Sequence, residues 1–109
     1  MKKLIIGVLA VSAISTGSYA KCVAGSCAGT VEKLYMTAGG TMYVQIEGDA
    51  SKLNCTPPGG VYMSLKEGDV GKNSMYSLLL TAKTTGKPIT VRIVEESTDC
   101  RVAFVKQSS

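Results

Sequence analysis

One stretch of this chain can form a helix of useful length, and it falls late, from Asn73 to Gly86. Met75, Tyr76, Leu78, Leu79, Leu80 and Ala82 give it a wide apolar face. Asn73 or Ser74 can cap its start, Gly86 suits a left-handed stop, and Pro88 prevents continuation. Lys83 and Lys87 lie near its negative end, where cations are favoured. The segments before and after it alternate in the manner of short strands, so the helix must cover or plug a β structure.

Three strands are expected ahead of the helix. Val31 to Ala38 is the first, with Val31, Leu34, Tyr35 and Met36 as its apolar members. Its alternation slips near Lys33 and Leu34, as a bulge would produce. Gly39-Gly40 signals a tight turn. Thr41 to Glu47 is the cleanest strand, with Met42, Val44 and Ile46 on one face and Thr41, Tyr43, Gln45 and Glu47 on the other. Leu53-Asn54-Cys55 reads as a short extended piece before Thr56-Pro57-Pro58-Gly59-Gly60, which cannot be regular. Val61 to Lys66 is the third strand, with Val61, Met63 and Leu65 inward and Tyr62 and Ser64 outward. Two strands follow the helix. Ile89 to Val94 alternates apolar and polar residues; Cys100 to Lys106 sets Val102 and Phe104 on one face and Arg101, Ala103 and Val105 on the other.

The order β-β-β-α-β-β in so short a span is that of a five-stranded Greek-key barrel, the OB-fold. The expected class is therefore all-β with one helix. An open antiparallel sheet with the helix packed on it uses the same strands. Closure is the preferred reading because it removes exposed edges.

The first 20 residues read as an export signal. Lys2 and Lys3 precede an apolar run from Leu4 to Ile14, and Ser18-Tyr19-Ala20 offers small residues before a cut. The run is too short to span a bilayer as a stable helix, which takes about 20 apolar residues. Cleavage after Ala20 leaves a single small domain, residues 21–109, with no further membrane span and a periplasmic or secreted destination. Its net charge is +2, since 12 basic residues less Lys2 and Lys3 stand against 8 acidic ones. That is too mild to argue for nucleic acid.

Cys22, Cys27, Cys55 and Cys100 form an even set in a short exported chain, which reads as a disulfide framework. Four cysteines allow three connectivities. The favoured one joins Cys22 with Cys27 and Cys55 with Cys100, closing one short and one long loop. A zinc site is disfavoured because the chain has no histidine and its cysteine spacings are not those of a zinc ribbon.

Without histidine, a Ser-His or Cys-His nucleophile pair is impossible. The acidic pairs Glu47 with Asp49, Glu67 with Asp69 and Glu95 with Glu96 sit at strand ends and loops, where turn chemistry explains them. The chain is therefore read as non-enzymatic and without cofactor. Binding is the default, and the outward Tyr43, Gln45, Tyr62 and Ser64 form the candidate ligand face, since aromatic rings beside hydrogen-bonding groups suit sugars or peptides. Covering a barrel end or a subunit contact is the competing use of those tyrosines.

The passage from Tyr76 to Ile93, Tyr-Ser-Leu-Leu-Leu-Thr-Ala-Lys-Thr-Thr-Gly-Lys-Pro-Ile-Thr-Val-Arg-Ile, resembles the helix-to-strand passage in B subunits of AB5 toxins of the subtilase-cytotoxin and pertussis-like kind. That resemblance implies an exported OB-fold that assembles as a pentamer and binds cell-surface glycans. The segment from Lys21 to Gly29 departs from those subunits, because it carries no aromatic residue where they contact sugar. The alternative is a small periplasmic structural or inhibitor-like protein that binds another protein.

Overall fold

The structure is a computed structural model that describes residues 21–107; the expected export signal lies outside them. The elements run β1 (Lys21–Val23), β2 (Ser26–Gly29), β3 (Val31–Met36), β4 (Met42–Ile46), β5 (Met63–Leu65), α1 (Lys72–Thr85), β6 (Ile89–Ile93) and β7 (Val102–Gln107). The fold is mostly β with one helix. The five expected strands are present as β3 to β7, and the helix lies between β5 and β6.

The strands form two antiparallel sheets, one of order β1-β2-β6-β7 and one of order β3-β4-β5. Sequence reasoning missed β1 and β2. They form a hairpin in which Cys22 lies directly opposite Cys27, the pair that the first disulfide joins. Only Thr30 separates β2 from β3. The two are one ribbon that pairs with β6 through its first half and with β4 through its second.

The sheets do not close into a barrel. The edges that would have to meet are β5 and β7, and the pairing between them is one isolated parallel bridge from Ser64 of β5 to Arg101, the residue before β7. The reason is local. β5 is three residues long, and the chain turns away at once, with the Lys66 amide donating to Asp69 Oδ2 at 2.7 Å. The expectation of a closed barrel is corrected to two sheets facing a shared core.

That core comes from the inward positions of both sheets. Met42, Val44, Met63, Leu65, Ile89, Val91 and Ile93 are almost wholly buried. The helix adds Leu79 and Ala82, while Met75, Tyr76 and Leu78 pack at the margin and Leu80 is exposed. The helix therefore contributes a narrower stripe than its composition suggested. Its start is Gly71, left-handed at φ 82° and without a side-chain cap, rather than Asn73 or Ser74. Its stop is Gly86 in the αL conformation, with its amide donating to Ala82 O at 2.9 Å.

One facial assignment is overturned. Val102 is buried opposite Ile93, but Phe104 lies opposite Arg92 and is 48% exposed. A register shift at Arg92/Ile93 puts an extra residue in β7 between the two pairings. Such a bulge reverses the facing of everything beyond it. Val105, opposite Val91, takes the inward place.

Candidate binding face

The solvent side of the three-stranded sheet carries a cluster of three tyrosines. A second bulge, between Val31 and Lys33, keeps Val31 inward, turns Lys33 outward opposite Gln45, and sets Tyr35 opposite Tyr43. Tyr62, just before β5, completes the group. The Tyr35 and Tyr43 rings stack with centroids 5.3 Å apart and planes at 30°. Tyr62 meets Tyr35 at 5.5 Å and Tyr43 at 5.8 Å, both edge-on. These are preferred aromatic geometries.

The rings pack on one another, so they do not form a cage that could hold a cation between them. They present ring faces and phenols instead. Tyr35 is 43% exposed. Desolvation among the rings, then the neighbouring phenols of Tyr62 and Tyr43, hold its pKa above the ordinary tyrosine value. The phenol is therefore neutral at physiological pH and keeps a proton to donate. Lys33 and Gln45 border the cluster on one side.

Of the residues singled out from sequence, Tyr43, Gln45 and Tyr62 share this face. Ser64 does not join it as an accessible group. It is 1% exposed, and its hydroxyl donates to Asp99 O at 2.8 Å. The alternation that places it outward is correct, since it lies opposite Tyr43, but the Asp99–Arg101 segment covers it. Tyr35 is not among the face residues expected from sequence, because it counts there only as an apolar member of its strand, with no face assigned. The slip at Lys33 and Leu34 was the available signal.

The covering segment is held in place by several interactions along the seam between β5 and β7. The Ser64 amide donates to Cys100 O at 3.0 Å. Lys66 Nζ lies 2.7 Å from Asp99 Oδ2. Asp69 takes both Arg101 Nε, at 3.2 Å, and Arg101 Nη2. The disulfides join Cys22 with Cys27 and Cys55 with Cys100, so the longer one also anchors this seam. Asp69, its side chain 12% exposed, has its pKa lowered, first by the hydrogen bond from Arg101 and also by the Lys66 amide.

A depressed carboxylate pKa gives stability that is fully present above the unfolded value, about pH 4, and is lost as pH falls through the lower folded value. Asp69→Asn is therefore expected to lower stability at neutral pH and to flatten the acid limb of the stability profile. Urea midpoints at about pH 6 and about pH 2 would check this. Equal pH slopes for wild type and variant would refute it.

No family model, curated protein or solved structure matches this chain. Among the described residues no helix is long and apolar enough to cross a membrane. Function must be argued from the face itself.

Proposed function

We propose that this protein is an exported, non-enzymatic binding module that recognises a glycan through Tyr35, Tyr43, Tyr62 and Gln45. The observation that carries this reading is the mutual packing of three tyrosines on the solvent side of one sheet. Aromatic faces cover the apolar faces of sugar rings, while phenols and an amide serve the hydroxyls. Packing among the rings fixes their positions before a ligand arrives, which lowers the ordering cost of binding.

An OB-type fold is part of the proposal. The ribbon shared by both sheets, the helix between β5 and β6, and the parallel Ser64–Arg101 bridge support it. Assembly as a pentamer, in the manner of a toxin B subunit, rests on the resemblance over Tyr76 to Ile93, which spans most of α1 and β6. Two disulfides suit an oxidising destination, periplasmic or beyond.

A glycan array probed with the oxidised chain tests the ligand class. Tyr43→Ala and Tyr62→Ala are each expected to weaken capture by about tenfold, as removal of an aromatic binding anchor does. Unchanged capture would discard the face. Native mass measurement separates the assembly readings: about 9 to 10 kDa by residue count for one chain, or five times that. A monomer that captures no glycan but does capture a protein would favour the structural or inhibitor-like alternative.

A further inference from the structure

The other sheet has an outer face of its own, and its cross-strand rows can be read from the register. One row runs Lys21, Ala28, Thr90, Lys106 across β1, β2, β6 and β7. The next outward row runs Val23, Ser26, Arg92, Phe104. Between them lies the inward row Cys22, Cys27, Val91, Val105, so both outer rows point away from the core.

Large side chains stand at the edges of this face and small ones floor its middle. Lys21 and Val23 form one wall, and Phe104 and Lys106 the other. All four are exposed, Val23 at 49% and Phe104 at 48%. Ser26, Ala28 and Thr90 lie lower between them. Arg92 does not fill the trough with its charge. Its guanidinium lies over Gly25, where an added Cβ would come within 2.6 Å of it, and it pairs with Glu95 at 3.2 Å. The walls are about 14 Å apart, three strand spacings. The lysine row and the apolar row are about 7 Å apart along the strands, two residues of extended chain.

We propose that this trough docks an extended acidic segment of another protein, with a carboxylate between Lys21 and Lys106 and an apolar side chain, two residues along, between Val23 and Phe104. The charge identifies the occupant. The face carries three cations, and the two carboxylates that border it are already engaged: Glu95 by Arg92 and by Asn54 Nδ2 at 2.9 Å, and Asp49, which lines a hollow with Lys21 and Val23, by the Ser51 amide at 3.0 Å and hydroxyl at 2.6 Å. A second copy of the same face would be repelled. A bilayer is a poorer fit, since two apolar tips with a recessed floor between them give little area to insert. The row spacing matches residues i and i+2 of an extended strand, so the motif read is an acidic residue, any residue, then an apolar or aromatic one. This site is separate from the tyrosine face and does not depend on it.

The test titrates the isotope-labelled, oxidised chain with a synthetic nonapeptide of Gly and Ser carrying one Glu-Thr-Phe, and follows backbone amide shifts. Shifts should concentrate at Ser26, Thr90, Arg92 and Phe104. Replacing the peptide's Glu by Gln, or making Lys21→Glu with Lys106→Glu in the protein, should each weaken binding about fivefold to tenfold, the effect of two exposed charge pairs. Circular dichroism of the double variant checks that it folds. Moving Phe next to Glu in the peptide should weaken binding similarly. The proposal is overturned by absent shifts, by equal affinity for the Gln peptide, by shifts centred on Tyr43, or by phosphatidylglycerol vesicles that shift the same amides when the peptide does not.

Discussion

Removing the disulfide between Cys55 and Cys100, as Cys55→Ala with Cys100→Ala, is expected to cost about 4 kcal/mol, the loop-entropy value for a closure of this length. The separation along the chain is 45 residues. The same reasoning gives about 2 kcal/mol for the short loop between Cys22 and Cys27. Domains are typically stable by about 5 to 15 kcal/mol, and one this small belongs toward the lower end. Loss of the long disulfide therefore leaves a protein close to unfolding at ordinary temperature. The effect has a structural component too. Cys100 is fully buried, and its carbonyl accepts from the Ser64 amide across the seam. Urea unfolding followed by circular dichroism, comparing the two disulfide variants, checks the ranking. If removing the Cys22–Cys27 bond proves the more damaging, the seam is not where this fold is most dependent on a crosslink.

Leu79→Ala should destabilise the protein by about 3 kcal/mol, in the range for a buried leucine whose site cannot fully collapse. Leu79 is 0% exposed and lies in the core cluster that joins helix and sheets among the described residues. Its neighbour Leu80 is 45% exposed and supplies an internal control, because Leu80→Ala should stay within about 0.5 kcal/mol of wild type. Both variants gain helix propensity slightly, so the difference between them isolates burial. Similar losses at the two positions would mean that α1 does not sit on the core as described. A shift of both toward zero would mean that the helix is not needed for the fold.

The parts of this architecture legible in the sequence were those with a strong local signal. β4 follows its alternation from Met42 to Ile46 because it is the middle strand of its sheet, paired on both sides with one face on the core. Gly86 ends the helix because its backbone is left-handed, φ 73°, a conformation that disfavours other residues. The even cysteine count announced a disulfide framework, and of the three connectivities it allows the favoured one is present.

What was not legible depends on partners far away in sequence. β1 and β2 are three and four residues long and hold mostly small side chains. β2 becomes a strand through its pairing with β6, more than sixty positions on. Phe104 shares a face with Val102 by period-two counting, and Tyr35 counts only as an apolar member of its strand; each follows a bulge, and such counting cannot locate the extra residue. Ser64 was oriented correctly but counted as accessible, because the segment that covers it comes from 35 residues later.

The ribbon that runs from β2 through Thr30 into β3 has a consequence for how the molecule comes apart. Each sheet borrows one of its members from the same uninterrupted piece of backbone. Neither sheet can peel off and persist by itself, because detaching one drags the shared member out of the other. Melting is thereby coupled across both layers, and the two act as a single cooperative unit even though a lone bridge is all the ladder pairing that joins β5 to β7.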